Sequence, residues 1–387
     1  MTQDTGTEIF DAVVVGGRVA GAATALMLAR AGAKVLIAER DAEIGDTLST
    51  HALMRPGVAL LGKLGLLERL IDAGVPVVNR TRFHYGPEVI DIPVKPMDGV
   101  PGLIAPRRWL LDKVIIEAAA EAGAELRLAT GFETCLLDEA GRVTGAVLHD
   151  RSGREYRVHA KLVIGADGRL SQVASDVGAE KIVQSPNRAA TVYGYFPGVQ
   201  EDGYRWYFGE RVAAGVIPTN DGRHCIFTSV HPLAFMEHFG ADLLGGMASI
   251  LSRWDEGLAA HVATSEPDGK LRRFLGAPGH IRACAGPGWA LVGDAGYFKD
   301  PATAHGITDA LLDAERLARS FLDTGTAESY QRERNAHALS LFAATQEIAG
   351  FGWGFDRLKV LHQDVNACMK HEMGASTQST QQVARAA

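Results

Sequence analysis

Ile9 to Val15 is a short apolar, β-branched run that ends on Gly16 and Gly17. It reads as a buried parallel strand. Val19 to Ala31 follows, rich in Ala and Leu, and reads as a helix stopped by Gly32 just past its C-cap. Lys34 to Ala38 is a second strand. Strand, helix and strand in this order require a parallel pair joined by a right-handed crossover. The chain therefore starts as an α/β fold.

The rest of the sequence changes character twice. Pro56 to Gly74 and Trp109 to Ala122 read as helices. Leu126 to Leu137, Val143 to Asp150, Tyr156 to Val158 and Leu162 to Ile164 read as strands, with turns near Gly141 and Gly153. From Thr191 to Val230, short alternating stretches of Tyr, Trp, Phe and Thr suggest an antiparallel sheet in a second domain that runs to about Leu275. Trp289 to Val292 returns to a buried strand, a helix begins near Gly306, and Glu328 to Met373 is mostly helical. The organisation expected is a discontinuous Rossmann-like domain (1–80, 100–185 and 276–325) with a parallel sheet. An inserted antiparallel-sheet substrate domain (81–99 and 186–275), C-terminal helices (326–373) and a disordered tail (374–387) complete it.

Composition removes several function classes. The 39 Lys and Arg against 46 Asp and Glu leave a net charge of −7, and basic clusters are absent beyond pairs such as Arg107-Arg108. Nucleic acid is thus excluded as the main partner, since phosphate contacts need clustered cations. The 44 glycines show no Gly-X-Y period, so they mark tight turns and close backbone approaches. Cys135, Cys225, Cys284 and Cys368 form no CxxC, which favours a reducing cytosol over a disulfide or zinc framework. Met1 to Glu8 lacks a secretory apolar region, and no apolar run is long enough to span a bilayer. His224, His231 and His238 are evenly spaced, but no carboxylates cluster with them, so no metal site is expected.

Three motifs carry chemistry. The first is Gly16-Gly17-Arg18-Val19-Ala20-Gly21, between strand and helix. Such a turn offers backbone N–H groups and a helix N-terminus to a pyrophosphate. Glu39 ends the second strand at the distance expected of a carboxylate that accepts from ribose hydroxyls. Arg18 replaces the usual middle glycine, so its side chain must point away or lie along the phosphate. The second motif is Leu162-Val-Ile-Gly-Ala-Asp167-Gly168-Arg169-Leu170-Ser171. The third is Ala290-Leu-Val-Gly293-Asp294-Ala295, followed by Pro301 and Gly306.

In this order and spacing the motifs resemble the FAD-dependent monooxygenase family of the aromatic-hydroxylase fold, near its geranylgeranyl-reductase-like branch; halogenases are related. The resemblance extends to about Leu322. It implies that Gly16, Gly17, Arg18, Val19, Ala20 and Gly21 cradle the FAD pyrophosphate, with Glu39 and Arg40 at the adenosine ribose. It implies Arg108, Phe132 and Asp167 along the cofactor, and Gly293 and Asp294 at the ribityl chain. Pro301, Gly306 and Ile307 would lie where a helix start meets the flavin N1/C2 carbonyl. His51, in the Ser49-Thr50-His51 loop, and His305 are the candidate catalytic residues, because histidine moves protons near neutral pH. Tyr193, Tyr195, Trp206, Phe208, Pro218 and Phe227 are the candidate substrate contacts. Tyr193 and Tyr195 share one strand face, as do Trp206 and Phe208, and Gly215-Val-Ile-Pro218 resembles a loop at the flavin edge.

The sequence also departs from the family pattern. Ala174 stands where an arginine is usual, and Tyr297 where a histidine is usual. Asn79 to Arg82 and Phe351 to Phe355 lack the halogenase signatures, and Lys299 reads as a solvated loop charge. The function implied is FAD-dependent oxygen insertion into a small aromatic or polycyclic compound through a flavin C4a-hydroperoxide, with dioxygen as co-substrate. NADH or NADPH would be the reductant, directly or through a partner flavin reductase, and a homodimer is conceivable. A geranylgeranyl-type reductase is the alternative; a halogenase or a non-catalytic flavin-binding protein comes third.

Overall fold

The computed structural model describes residues 8–97 and 99–386, with side chains up to residue 373. The opening residues 1–7 lie outside it. The fold is mixed α/β. One sheet runs in the order Ala285–Gly286, Trp289–Leu291, Glu155–Gly165, Glu8–Val15, Val35–Ala38, Glu125–Arg127. Its central pairings are parallel, and a hairpin of Thr130–Leu137 and Val143–Asp150 joins its Glu155–Gly165 strand. The register matters most for function. Val15 lies opposite both Ala38 and Gly165, and Leu291 also lies opposite Gly165. Four strands therefore end at one level, and the residues just beyond them, Gly16, Glu39, Ala166 and Val292, meet at one sheet edge. This register gathers the three sequence motifs.

The Val19–Arg30 helix is apolar on nearly all sides because it lies between this sheet and the helices Arg108–Glu121 and Gly306–Thr324. A second sheet runs Arg272–Phe274, Ala190–Pro197, Arg223–Val230, Val212–Thr219, Tyr204–Gly209, Arg80–Tyr85, Glu88–Pro93. One face packs on the helices Leu243–Leu251 and Glu256–Thr264. The other meets the C-terminal helices Glu328–Ala349 and Phe355–Ala386.

Several local readings need correction. The 56–74 helix is two helices, Arg55–Lys63 and Leu67–Asp72, separated where Gly65 takes a φ of +66°. The 126–137 strand breaks at Ala129, whose φ is +51°. The segments 156–158 and 162–164 are one strand, Glu155–Gly165. Its first half alternates exposed Arg157, His159 and Lys161 with buried Val158 and Ala160, and its second half is wholly buried. The change from one-sided to two-sided burial looks like a break in sequence. The second sheet is antiparallel except that Tyr204–Gly209 runs parallel to Arg80–Tyr85. A small sheet of Lys181–Ser185, Gly279–Arg282 and Tyr297–Phe298, and the helices between 235 and 264, were not read from the sequence. The backbone of the last helix continues to Ala386, across the tail expected to be disordered.

Candidate active site: a cofactor cavity and an aromatic wall

A cavity of about 620 Å³ opens at the shared sheet edge. Its geometry fits a dinucleotide. Gly16 holds a φ of +103°, and a Cβ there would sit 2.5 Å from the Ala166 carbonyl oxygen. A Cβ on Gly21 would sit 1.9 Å from the Gly16 carbonyl oxygen. The turn is thus tightened until only hydrogen fits, which brings the helix N-terminus up to the cavity. Val19 and Ala20 line it, while Gly17 and Gly21 lie behind its surface. Gly293 has a φ of +58°, and a Cβ there would meet Ala20 at 2.9 Å.

At one end, buried Glu39 accepts from Gly17 N–H at 2.7 Å and from Asp41 N–H at 2.9 Å. Each oxygen keeps a lone pair for a ribose hydroxyl. Arg40 lines the same end and is exposed. Of the two orientations open to Arg18, the structure shows it bound to carboxylates. Its guanidinium reaches Asp41 at 2.9 Å and Asp112 at 3.0 Å. Asp112 also takes Arg108 in a fork at 2.8 and 3.0 Å. Phe132 lines the cavity beside them. Asp167 is engaged in capping: it accepts from Gln172 N–H at 2.6 Å and from the Ser171 hydroxyl. That capping holds the short Gln172–Asp176 helix, in which Ala174 is buried.

Toward the other end stand Asp294, Pro301, Gly306 and Ile307. Asp294 is exposed only where it opens onto the cavity, and desolvation by the protein around it raises its carboxyl above the usual range. Lys299 is the main correction here. It is 6% exposed, lines the cavity and is ion-paired with Asp309. Burial lowers its ammonium to about 8, against the pull of Asp294. His305 is buried behind the cavity at the N-cap position of the Gly306–Thr324 helix, its Nδ1 on the Thr303 carbonyl and its Nε2 without a partner. Next to Lys299, Asp300 accepts from Ala189 and Ala302 N–H groups, and burial pushes it up to about 7.

His51 lines the cavity with a strained φ of +46°. Its Nε2 meets the Tyr195 hydroxyl at 2.8 Å, and the two rings stack at 5.4 Å. Burial depresses His51 to about 3, with Arg107 and Arg108 adding to burial and Asp46 opposing it. The Tyr193 hydroxyl accepts from Ser49 N–H at 3.0 Å, so the second sheet grips the His51 loop at two points. Tyr193 alone of the six expected substrate contacts lines this cavity. Tyr195, Trp206, Phe208 and Phe227 stand with it on one face of the second sheet, where they join Phe83 and Tyr85. The Phe227 ring lies over Gly215, where a Cβ would sit 2.3 Å from it. Ala302 and Ala304, from the turn that leads to Gly306, pack on this wall. Pro218 does not join it. It lies in the Val212–Thr219 strand rather than in a loop, on the face opposite Ile217. Sequence reading also missed Asp112, which joins Arg18 to Arg108, Arg107, which pairs with Asp46 at 2.7 Å and lies over the Tyr195 ring, and Phe274, which lines the cavity. Among the described residues no group of three or more His, Cys, Asp or Glu is placed to hold a metal ion.

These histidines set an acid response. His51 and His305 are lowered to about 3, and His280, His337 and His362 to about 4, each mainly by burial. An unfolded histidine binds its proton near pH 6.5, so between there and pH 4 the unfolded chain holds more protons and stability falls with pH. Asp300 acts oppositely, being protonated in the folded chain up to about 7. Burial also raises Asp294, Asp313 and Glu372 and lowers His84. With six histidines set against four carboxyls, the melting temperature is expected to fall when the pH is lowered from 7 to 5. A midpoint that stays level or rises in calorimetry over that range would contradict this.

Comparison with known proteins agrees with the cavity. The sequence pattern of the FAD binding domain family matches residues 10–228. The digeranylgeranylglycerophospholipid reductase of Methanothermobacter thermautotrophicus numbered 2 is 30% identical over 317 residues, covering 77% of this chain and 74% of that protein. That of Methanosarcina acetivorans is 28% identical over 327 residues, 80% of this chain and 74% of that protein. In fold, the chain is similar to Pseudomonas aeruginosa PqsL in complex with 2-aminobenzoylacetate, with a TM-score of 0.73, 21% identity and coverage of 90% and 100%. It is likewise similar to the flavin-dependent brominase Bmp2, with a TM-score of 0.76, 17% identity and coverage of 97% and 100%. This chain is a member of the FAD binding domain family, an FAD-dependent oxidoreductase related to the digeranylgeranylglycerophospholipid reductases.

Proposed function

We propose that this chain reduces a carbon–carbon double bond in an apolar, isoprenoid-like substrate. The observation that carries the reading is the wall of the second sheet. Phe83, Ala213 and Phe227 are only partly buried there, in the same apolar cluster as Ala302 of the turn that leads to Gly306. Such a surface binds hydrocarbon and excludes water. The names of the related reductases point to the same substrate class. Reduced FAD supplies a hydride when bound. The protein must hold a proton for the second carbon, and we assign that role to Tyr195 acting with His51, the member of the pair that lines the cavity. Burial keeps the phenol neutral and the imidazole uncharged, so the tyrosine hydroxyl retains its proton at their 2.8 Å contact. Electrons would come from NADH or NADPH, directly or through a separate reductase.

Oxygen insertion into an aromatic or polycyclic compound is the second reading. The row of Phe83, Trp206 and Phe227 favours it: the first pair is stacked with centroids 6.4 Å apart and the second tilted at 6.1 Å, and aromatic substrates pack well against such rings. One experiment separates the two. The FAD-loaded protein is reduced with dithionite without oxygen and mixed with geranylgeraniol. Return of the oxidised flavin spectrum, with a product gaining two hydrogens, is the expected result. Flavin that stays reduced until oxygen is admitted, and then converts an added phenol to a product carrying one more oxygen atom taken from dioxygen, overturns the reductase reading in favour of the second.

A further inference from the structure

The end of the cavity at Gly306 contains more charge than flavin binding alone requires. The N–H groups of Gly306, Ile307 and Thr308 precede the first intrahelical bond, which Asp309 N–H makes to the His305 carbonyl. Those free donors give the cavity end a partial positive charge. Lys299 adds a whole charge beside them. Its ammonium lies 4.4 Å from the Tyr297 ring centroid and pairs with Asp309, one turn into the same helix. The other groups facing it are Asp294, Asp313, Glu372 and His305. Arg316 contacts Glu372 at 3.3 Å and Asp313 at 3.8 Å, so those two carboxylates have their own cation. Lys299 is left with Asp309 on one side and the open cavity, with Asp294, on the other.

We propose that Lys299 is the residue that sets the reduction potential of the bound flavin, and that Asp309 holds part of its charge in reserve. Reduction adds negative charge to the N1/C2 side of a flavin. A buried ammonium at the cavity end favours that state, because a charge acts strongly where water is excluded. Asp309 neutralises the ammonium in the oxidised protein, so the buried charge is tolerated. Lys299 would act on the cofactor's electronics, not on the substrate. The inference therefore holds for either reading of the reaction.

The pairing predicts opposite effects from its two partners. Lys299→Met removes the cation from the cavity end and leaves Asp309 buried behind it without its partner. Asp309→Asn removes the carboxylate ion-paired with the ammonium and leaves it only Asp294, Asp313 and Glu372, with which it forms no direct ion pair. Each purified variant is loaded with FAD and equilibrated against a redox dye of known potential, without substrate. In Lys299→Met the ratio of reduced to oxidised flavin is expected to fall at least tenfold at a given dye ratio, about 30 mV for a two-electron couple. In Asp309→Asn the ratio should rise. Ratios within twofold of the native protein in both variants, or shifts of the same sign, overturn the proposal. Should Lys299→Met fail to fold or load, Asp309→Asn decides alone: a higher ratio supports the assignment, and an unchanged or lower one rejects it.

Discussion

A Gly21→Ala chain is expected to purify without flavin and to bind added FAD at least a hundredfold more weakly than the native protein. The reason is local and steric. Gly21 lies in the first turn of the Val19–Arg30 helix, and its missing side chain faces the turn it has just left. An alanine Cβ would lie 1.9 Å from the Gly16 carbonyl oxygen, 2.9 Å from Val14 and 3.0 Å from Ala166. None of these is the free end of a flexible side chain. Helix and strand must therefore separate, and the N–H groups that would meet the pyrophosphate retreat with the helix. Overpacking of this kind costs about 1–3 kcal/mol of stability, and the loss of cradle geometry falls on binding. Gly17→Ala is the control in the same turn. Its Cβ would meet the Ile116 Cδ1 atom at 2.8 Å, a side-chain end that can rotate. Fluorescence titration with FAD checks both: equal affinities for the Gly21→Ala and Gly17→Ala chains would refute the steric account.

That contrast also shows what was legible in the sequence. The turn, its helix and Glu39 are local in the chain, and their spacing alone places them at one strand end. The strand register then brings Asp167 and Asp294 to the same edge. Features built from distant pairs were not legible. Lys299 stands between Phe298 and Asp300 in a stretch that reads as a polar loop, and nothing nearby announces that Asp309 will meet it inside the protein. Arg18 could be given two orientations but not one, because its partner Asp112 lies 94 residues away. Pro218 illustrates a different failure. The Gly215 to Pro218 stretch resembles the family's loop at the flavin edge, yet Gly215 is a strand residue whose missing side chain makes room for the Phe227 ring. Once the stretch is a strand, the two-residue period turns Pro218 to the far face.

Asp112 carries the other large effect. Its side chain is wholly buried, and it accepts from Arg18 at 3.0 Å and from Arg108 at 2.8 and 3.0 Å. Both guanidinium groups belong to residues lining the cofactor cavity. In Asp112→Asn the shape is kept, but the negative charge is lost and an amide N–H meets two cations. Asp41, itself 46% exposed, is the remaining carboxylate in contact with Arg18. Removing one partner from a buried charge network typically costs about 3–5 kcal/mol, and the apoprotein should lose stability on that scale in urea. Bound FAD changes the balance, because a pyrophosphate brings negative charge to the cavity that both arginines line. A ligand stabilises in proportion to its preference for the folded chain, so the flavin-loaded variant should recover part of the loss. The rise in unfolding midpoint on adding FAD should accordingly be larger in Asp112→Asn than in the native protein. An equal rise in the two would mean that the arginines never reach the cofactor, and that Asp112 serves the fold alone.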